Sequence, residues 1–231
     1  MGETVSKIFL PFLKLIKDSG CHVMAFGIES GSDRVLDYIK KDFSLDRILR
    51  VNRILGEAGI AAKYYFVAGF PTETESELYE TLDLMQRLRR EGGQVRIPPW
   101  RVYVPYPGAC LFDESIRHGF QPPQNLQEWG HYEFDQVHMP WITPRMQRII
   151  EAQPRLVRYL EVHRKRGGPL RHVGNAYSRW IGWRWSNHLL DYTPEQQVVE
   201  AATRIRRRLT GSSVRRARHA DMPDIYMGAE S

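Results

Sequence analysis

Three short runs hold the residues best suited to chemistry: Gly27-Ile28-Glu29-Ser30-Gly31-Ser32, Ala68-Gly69-Phe70-Pro71-Thr72-Glu73-Thr74 and Pro105-Tyr106-Pro107-Gly108. Each follows an apolar run, and each holds the glycine or proline that a tight reversal over a ligand needs. Glu29 is an acceptor-only carboxylate, suited to hydroxyl or ammonium donors. Glu73 could serve a ligand too, although a carboxylate at that place is also what a helix start favours. Tyr103 and Tyr106 could face a substrate, but a tyrosine in a strand commonly fills a core. The two cysteines, Cys21 and Cys110, form no closely spaced pair. They make neither a disulfide framework nor a zinc site, and two thiols cannot supply the three or four thiolates of an iron–sulfur cluster. Cys21 reads as a small buried hydrophobe. Cys110 follows the third run and could lie on a substrate's side. Together these residues imply a cleft for a small molecule without naming a reaction.

The elements that position the runs are legible from periodicity. Ile8, Leu13 and Ile16 mark an apolar helix face, with Pro11 requiring an early kink or a start there; Gly20 stops it. Val23-Met24-Ala25-Phe26-Gly27-Ile28 is a continuous apolar run, as in a strand buried on both faces of a parallel sheet. Ser32 or Asp33 caps a short helix whose Val35, Leu36 and Ile39 share a face. Ser44 opens another helix, through Ile48, Leu49, Asn52, Leu55 and Ala58, ended by Gly59. Tyr64-Tyr65-Phe66-Val67-Ala68 is a second strand. Thr74-x-x-Glu77 is a capping box before the stripe Leu78, Leu82, Met85 and Leu88. Val102-Tyr103-Val104 is a third strand. The strand ends at Ile28, Ala68 and Val104 recur every 36–40 residues, a βα period.

Beyond Gly119 the pattern changes to a proline-, tryptophan- and histidine-rich extension. A helix is expected over Arg145–Arg166, interrupted at Pro154, with two more over Tyr177–Leu190 and Pro194–Leu209. The domains so read are 1–119, a helical extension 120–210 and a flexible tail 211–231. Residues 1–100 carry 14 basic and 14 acidic residues, so the net charge of +6 belongs to residues 101–231. Arg204, Arg206, Arg207, Arg208, Arg215, Arg216 and Arg218 read as solvent-facing. Tyr177, Trp180, Ile181, Trp183 and Trp185, interleaved with Arg179 and Arg184, are expected to pack the extension onto the body. Their alternative is a basic aromatic helix that meets RNA or an anionic membrane. No run is long and apolar enough to span a membrane and no signal peptide is evident, so a cytoplasmic location is expected.

Phe26-Gly27-Ile28-Glu29-Ser30-Gly31-Ser32-Asp33-Arg34-Val35-Leu36 resembles the fourth-strand signature of the radical S-adenosylmethionine (SAM) superfamily. Lys40 or Lys41 fits the basic position that follows it. Ala58-Gly59-Ile60 with Phe66-Val67-Ala68-Gly69-Phe70-Pro71-Thr72-Glu73-Thr74 resembles the fifth strand and its turn. Tyr103-Val104-Pro105-Tyr106-Pro107-Gly108 resembles the sixth. Gly119-Phe120, Trp129 and Pro140-Trp141 resemble the subgroup that carries a cobalamin-binding domain.

The resemblance implies an α/β fold: the carboxyl-terminal three βα units of a partial (βα) barrel, followed by the mostly helical extension. It also implies an enzyme whose CxxxCxxC motif holds a four-iron four-sulfur cluster, and that cleaves SAM to a radical. In that family Glu29, Ser30, Gly31, Gly69, Phe70 and Pro71 would contact SAM. CxxxCxxC is absent here, and no metal-binding residue is assigned. The expectation is therefore a fragment, inactive alone, acting on an unknown small organic molecule, with the missing half on another chain or lost from the gene. Cluster and cobalamin would belong to the full-length parent. The rivals are a non-catalytic SAM- or nucleoside-binding module and a basic helical protein for RNA or anionic membrane; neither nucleic acid nor membrane is the expected partner.

Overall fold

Alternation along two adjacent strands fixes the architecture. The computed structural model describes residues 2–130, 132, 139–164, 179–180 and 182–189, with the side chains of residues 2–9 and 155–164 outside it. Strand β1 (Val23–Glu29) pairs in parallel with β2 (Ala61–Ala68), Val23 opposite Ala61 and Phe26 opposite Tyr64. On β2 the residues Ala62, Tyr64, Phe66 and Ala68 are buried, and the intervening ones are more open. Helices therefore cover one face of the sheet. Helix α1 (Gly2–Asp18) contributes Leu13, α3 (Leu45–Glu57) contributes Leu49 and Leu55, and α4 (Glu75–Glu91) contributes Leu78, Leu82, Met85 and Leu88 to one apolar core. The fold is α/β with a parallel sheet, in the order expected.

Four expectations need correction. β1 is not buried on both faces: Val23, Ala25 and Gly27 are exposed, because among the described residues no helix layer covers that side. The third strand is two short pieces, β3 (Val95–Arg96) and β4 (Arg101–Val102), both parallel to β2. Pro98 and Pro99 lie between them and have no N–H to give the ladder. Helix α1 runs through Pro11. Helix α7 (Pro144–Arg164) likewise runs through Pro154.

Two short helices join β4 to α7: α5 (Phe112–Arg117) and α6 (Leu126–Trp129). The first turns of α7 belong to the same core as the strands, through Met146, Ile149, Ile150 and Ala152. Gln153 accepts from the Trp100 amide (3.1 Å), and Trp100 Nε1 donates to the Ile150 carbonyl (2.9 Å). Trp185 is buried in that core too, as expected of the extension, whereas Trp180 and Trp183 are exposed. His188 stacks on Tyr79 of α4 at 4.3 Å. Tyr177, Ile181, the helix expected over Pro194–Leu209, the late arginines and the tail lie outside the described residues. No described helix is long and apolar enough to cross a membrane.

Candidate functional site

The carboxyl ends of β1 and β2 bring two of the three runs to one edge of the sheet. Glu29, the last residue of β1, sits opposite Phe66 across a register shift and has a left-handed backbone, φ 72°. A non-glycine residue pays for that conformation in steric strain. Lys41, from beyond helix α2 (Asp33–Tyr38), holds it: its Nζ donates to Glu29 Oε1 (3.1 Å) and to the Gly27 carbonyl (3.3 Å). Of the two lysines considered from sequence, Lys41 makes this bond. Gly27 lets the carboxylate lie close over the strand: a Cβ there would lie 2.6 Å from Glu29 Oε1 and would push it aside. The carboxylate thus folds over the end of its own strand, half-exposed, on the face the helices leave open.

Ser30 and Gly31 turn the other way. Both are buried, and the Gly31 amide donates to Thr81 Oγ1 of α4 (2.8 Å), with the Ser30 hydroxyl at 3.2 Å from the same oxygen. A Cβ on Gly31 would lie 2.6 Å from the Glu80 carbonyl oxygen, so this glycine lets the loop touch α4. The groups of this pair are committed to packing.

The β2 turn is a second strained point. Thr72 has φ 66° and Gly69 φ 81°. Arg34 of α2 steadies Thr72, donating from Nη2 to its carbonyl (2.9 Å) and from Nη1 to its hydroxyl (3.2 Å). The same guanidinium forks onto Glu77, through Nε to Oε1 and through Nη2 to Oε2 (2.8 Å). Glu77 also closes the expected capping box, accepting from the Thr74 amide at 2.8 Å. Burial opposes its charge, but the Arg34 and Thr74 bonds outweigh that and lower the carboxyl to about 2. Sequence had placed Arg34 inside a motif without giving it this role.

Glu73 behaves oppositely. It is only 5% exposed, and burial pushes its carboxyl up to about 8, against the pull of the Gly69 and Phe70 amides. Oε2 accepts from those amides at 2.6 and 3.2 Å. Oε1 is buried with no hydrogen-bond partner among the described residues. Glu73 therefore carries a proton at neutral pH and pins the turn from inside.

Phe70 and Pro71 are buried. The Phe70 ring lies 5.0 Å from that of Tyr103, in a small apolar cluster with Val35 and Leu111 that caps the open face at this edge. Tyr103 is thus packed, while Tyr106 is exposed and stacks on Trp129 at 5.7 Å. The Gly69 carbonyl accepts from Trp141 Nε1 (3.0 Å), and Phe120 lies in an aromatic cluster with Phe112, Trp129 and Tyr132. Cys21, half-buried, precedes β1 at the opposite end of the sheet; Cys110 is exposed beyond β4.

Comparison with known proteins adds a likeness to one superfamily over part of the chain. A model of the radical SAM superfamily matches residues 4–85. That segment is similar to the radical SAM superfamily. It contains β1, β2 and both strained points. An uncharacterized methyltransferase of Pyrococcus horikoshii is 30% identical over 116 residues, 50% of this chain and 24% of its own length. A tRNA-2-methylthio-N(6)-dimethylallyladenosine synthase of Chlorobaculum tepidum is 30% identical over 183 residues, 78% of this chain and 34% of its own. The chain spans about a quarter to a third of the length of these relatives.

The superfamily's two groups fit unequally. A half-open carboxylate at a strand end, on small residues, suits the donors of SAM. The cluster does not fit this chain's own residues: two cysteines at opposite ends of the sheet fall short of the three thiolates it needs. Among the described residues no group of three His, Cys, Asp or Glu is placed to hold a metal ion.

Proposed function

We propose that this chain supplies the SAM-binding rim of a radical SAM enzyme and needs thiolates from another segment or chain for catalysis. One observation carries the reading. At the ends of two adjacent parallel strands, Glu29 and Thr72 are held in left-handed backbone, each by a cation from elsewhere, Lys41 and Arg34. Backbone strain maintained in this way marks ligand sites more than plain packing. In this proposal Glu29 accepts from ribose hydroxyls or the SAM ammonium, and Gly69, Phe70 and Pro71 shape the adjoining wall. Ser30 and Gly31 act behind them, fixing the loop to α4. When bound, the cluster and SAM supply the radical; the chain orients SAM and excludes water. The finer assignment to the cobalamin-binding subgroup rests on the Gly119-Phe120, Trp129 and Pro140-Trp141 likeness alone. The names of the relatives speak of methyl and methylthio transfer, and we assign no substrate from them.

Anaerobic reconstitution tests the proposal. The chain alone should hold no stable cluster and release no 5′-deoxyadenosine from SAM under reduction. Joined to a segment bearing CxxxCxxC, it should do both, and Glu29→Gln should then weaken SAM binding by about tenfold. Near-stoichiometric cluster with SAM turnover by the chain alone would overturn the division of labour.

A further inference from the structure

The β2 turn closes around a carboxyl that the closed turn cannot satisfy. Both polar backbone groups of Gly69 go to side chains: its amide donates to Glu73 Oε2 (2.6 Å), and its carbonyl accepts from Trp141 Nε1 (3.0 Å). The Phe70 amide also donates to Oε2 (3.2 Å), and the Phe70 carbonyl accepts from the Glu73 amide (3.1 Å). A Cβ on Gly69 would lie 2.8 Å from Ile142 Cδ1, so apolar carbon fills that side. Two donors occupy Oε2, which leaves the acid proton on Oε1. There, among the described residues, no acceptor meets it. A buried hydroxyl without a partner is costly, and a buried anion is costlier still unless water reaches it. The charged groups acting on Glu73 from the packed elements are Arg34 of α2 and Glu77 of α4, and they oppose each other. Arg34 is already bonded to Glu77 and Thr72. Gly69 and the exposed Thr72 hold left-handed backbone at the two ends of the loop, at a steric cost for Thr72 that opening would relieve.

We infer that Glu73 is a proton-operated latch on this turn: protonated, it shuts the Gly69–Thr72 loop over a dry interior, and on losing the proton it lets the loop open to water. Ionisation is far easier in the open loop, where the carboxyl is hydrated and has its ordinary value of 4.5, than in the closed one, where burial holds it at about 8. Between those values the equilibrium constant for opening rises about tenfold per pH unit. The inference rests on the proposed SAM rim only in taking this loop as the SAM wall, where opening withdraws Phe70 and Pro71 from the ligand. The latch itself needs neither SAM nor cluster.

The test is hydrogen–deuterium exchange of the full 231-residue chain without iron or SAM, each rate divided by that of an unprotected amide at the same pH. Protection of the Gly69 and Phe70 amides should fall about tenfold per pH unit from about pH 5 and level off above pH 8. Glu73→Gln keeps an acceptor for both amides and cannot ionise, so its protection should not change with pH. Trp141→Phe removes the donor on the other side of Gly69 and leaves Glu73 intact. It should lower protection by the same factor at every pH, about threefold to tenfold, with the slope unchanged. That variant keeps the slope testable if Glu73→Gln does not fold. At every pH the loop should exchange faster than the buried Leu82 and Met85 of α4, because local opening is easier than global unfolding. Equal protection in the loop and α4 would mean that the loop opens only with the whole chain, and would overturn the latch. So would a flat wild-type profile, a slope that Glu73→Gln reproduces or a slope that Trp141→Phe abolishes. No SAM is present, so the latch and the SAM rim can each fail without the other.

Discussion

The two faces of β2 are written in alternate letters of one eight-residue strand. Ala62, Tyr64, Phe66 and Ala68 point to the helices and are buried; Lys63 and Tyr65 point away and are not. The helix face holds the fold together by apolar area. The open face adds little to that area and carries the charge. The difference teaches where substitution should be felt as stability and where as binding.

The largest effect should separate two neighbours. Phe66 is 1% exposed, and Phe66→Ala should cost about 3–5 kcal/mol in chemical denaturation, enough to unfold a marginal domain. Tyr65→Ala, one residue away, should change stability by no more than about 0.5 kcal/mol. Equal costs at the two positions would mean that the open face is covered in solution, and the comparison would break.

What was legible in sequence follows the same division. The helix-side pattern is local, so β1 and β2, the α4 stripe and the Thr74–Glu77 capping box were read close to where they stand. The parallel order followed from the βα spacing. Long-range choices were not legible. Nothing local says that Met146 and Ile149, across a proline-rich stretch, finish the core under β2. The third strand was placed too late because the pairing of Val95–Arg96 is only two residues long. At the site, Glu29 was singled out because its loop is distinctive, and Lys40 or Lys41 stood only as the basic position of the motif; the Lys41–Glu29 bond itself was not legible. The Arg34–Glu77 fork was missed: it joins residues 43 apart, and capping had already explained Glu77. Ser30 and Gly31 share the motif with Glu29, but beyond the end of β1 the loop turns both toward Thr81 of α4.

The rim where the two faces meet offers the next contrast. Glu77 is ionised and Glu73 protonated at neutral pH, four residues apart in one turn. Glu77→Gln leaves Arg34 without its carboxylate and should cost about 2 kcal/mol at pH 7. Because its folded value of about 2 lies below the ordinary 4.5, that stability is present above pH ~4.5 and is lost as pH falls toward 2. Denaturation midpoints of wild type and Glu77→Gln should converge in acid. A constant gap across that range would show that Glu77 acts by shape rather than charge.

Glu73 should tilt stability the other way. Its folded value of about 8 lies above the ordinary 4.5, so between those values the folded chain keeps a proton that the unfolded chain has released. Stability therefore falls as pH rises through that window, by about 1.4 kcal/mol per unit at most, and levels off above pH 8. Glu73→Gln imitates the protonated acid: its side-chain carbonyl still accepts from the Gly69 and Phe70 amides, and nothing remains to ionise. The variant should match wild type near pH 4.5 and become progressively more stable than it toward pH 8. Thermal midpoints at half-unit steps in pH read this directly. The groups facing Glu73 enter the same way, for Glu77 raises its value and Arg34 lowers it, so Arg34→Ala should extend the window to higher pH. Parallel wild-type and Glu73→Gln profiles would mean that the carboxyl is ionised and hydrated in solution, and that the β2 turn opens to water on the face where SAM is proposed to bind.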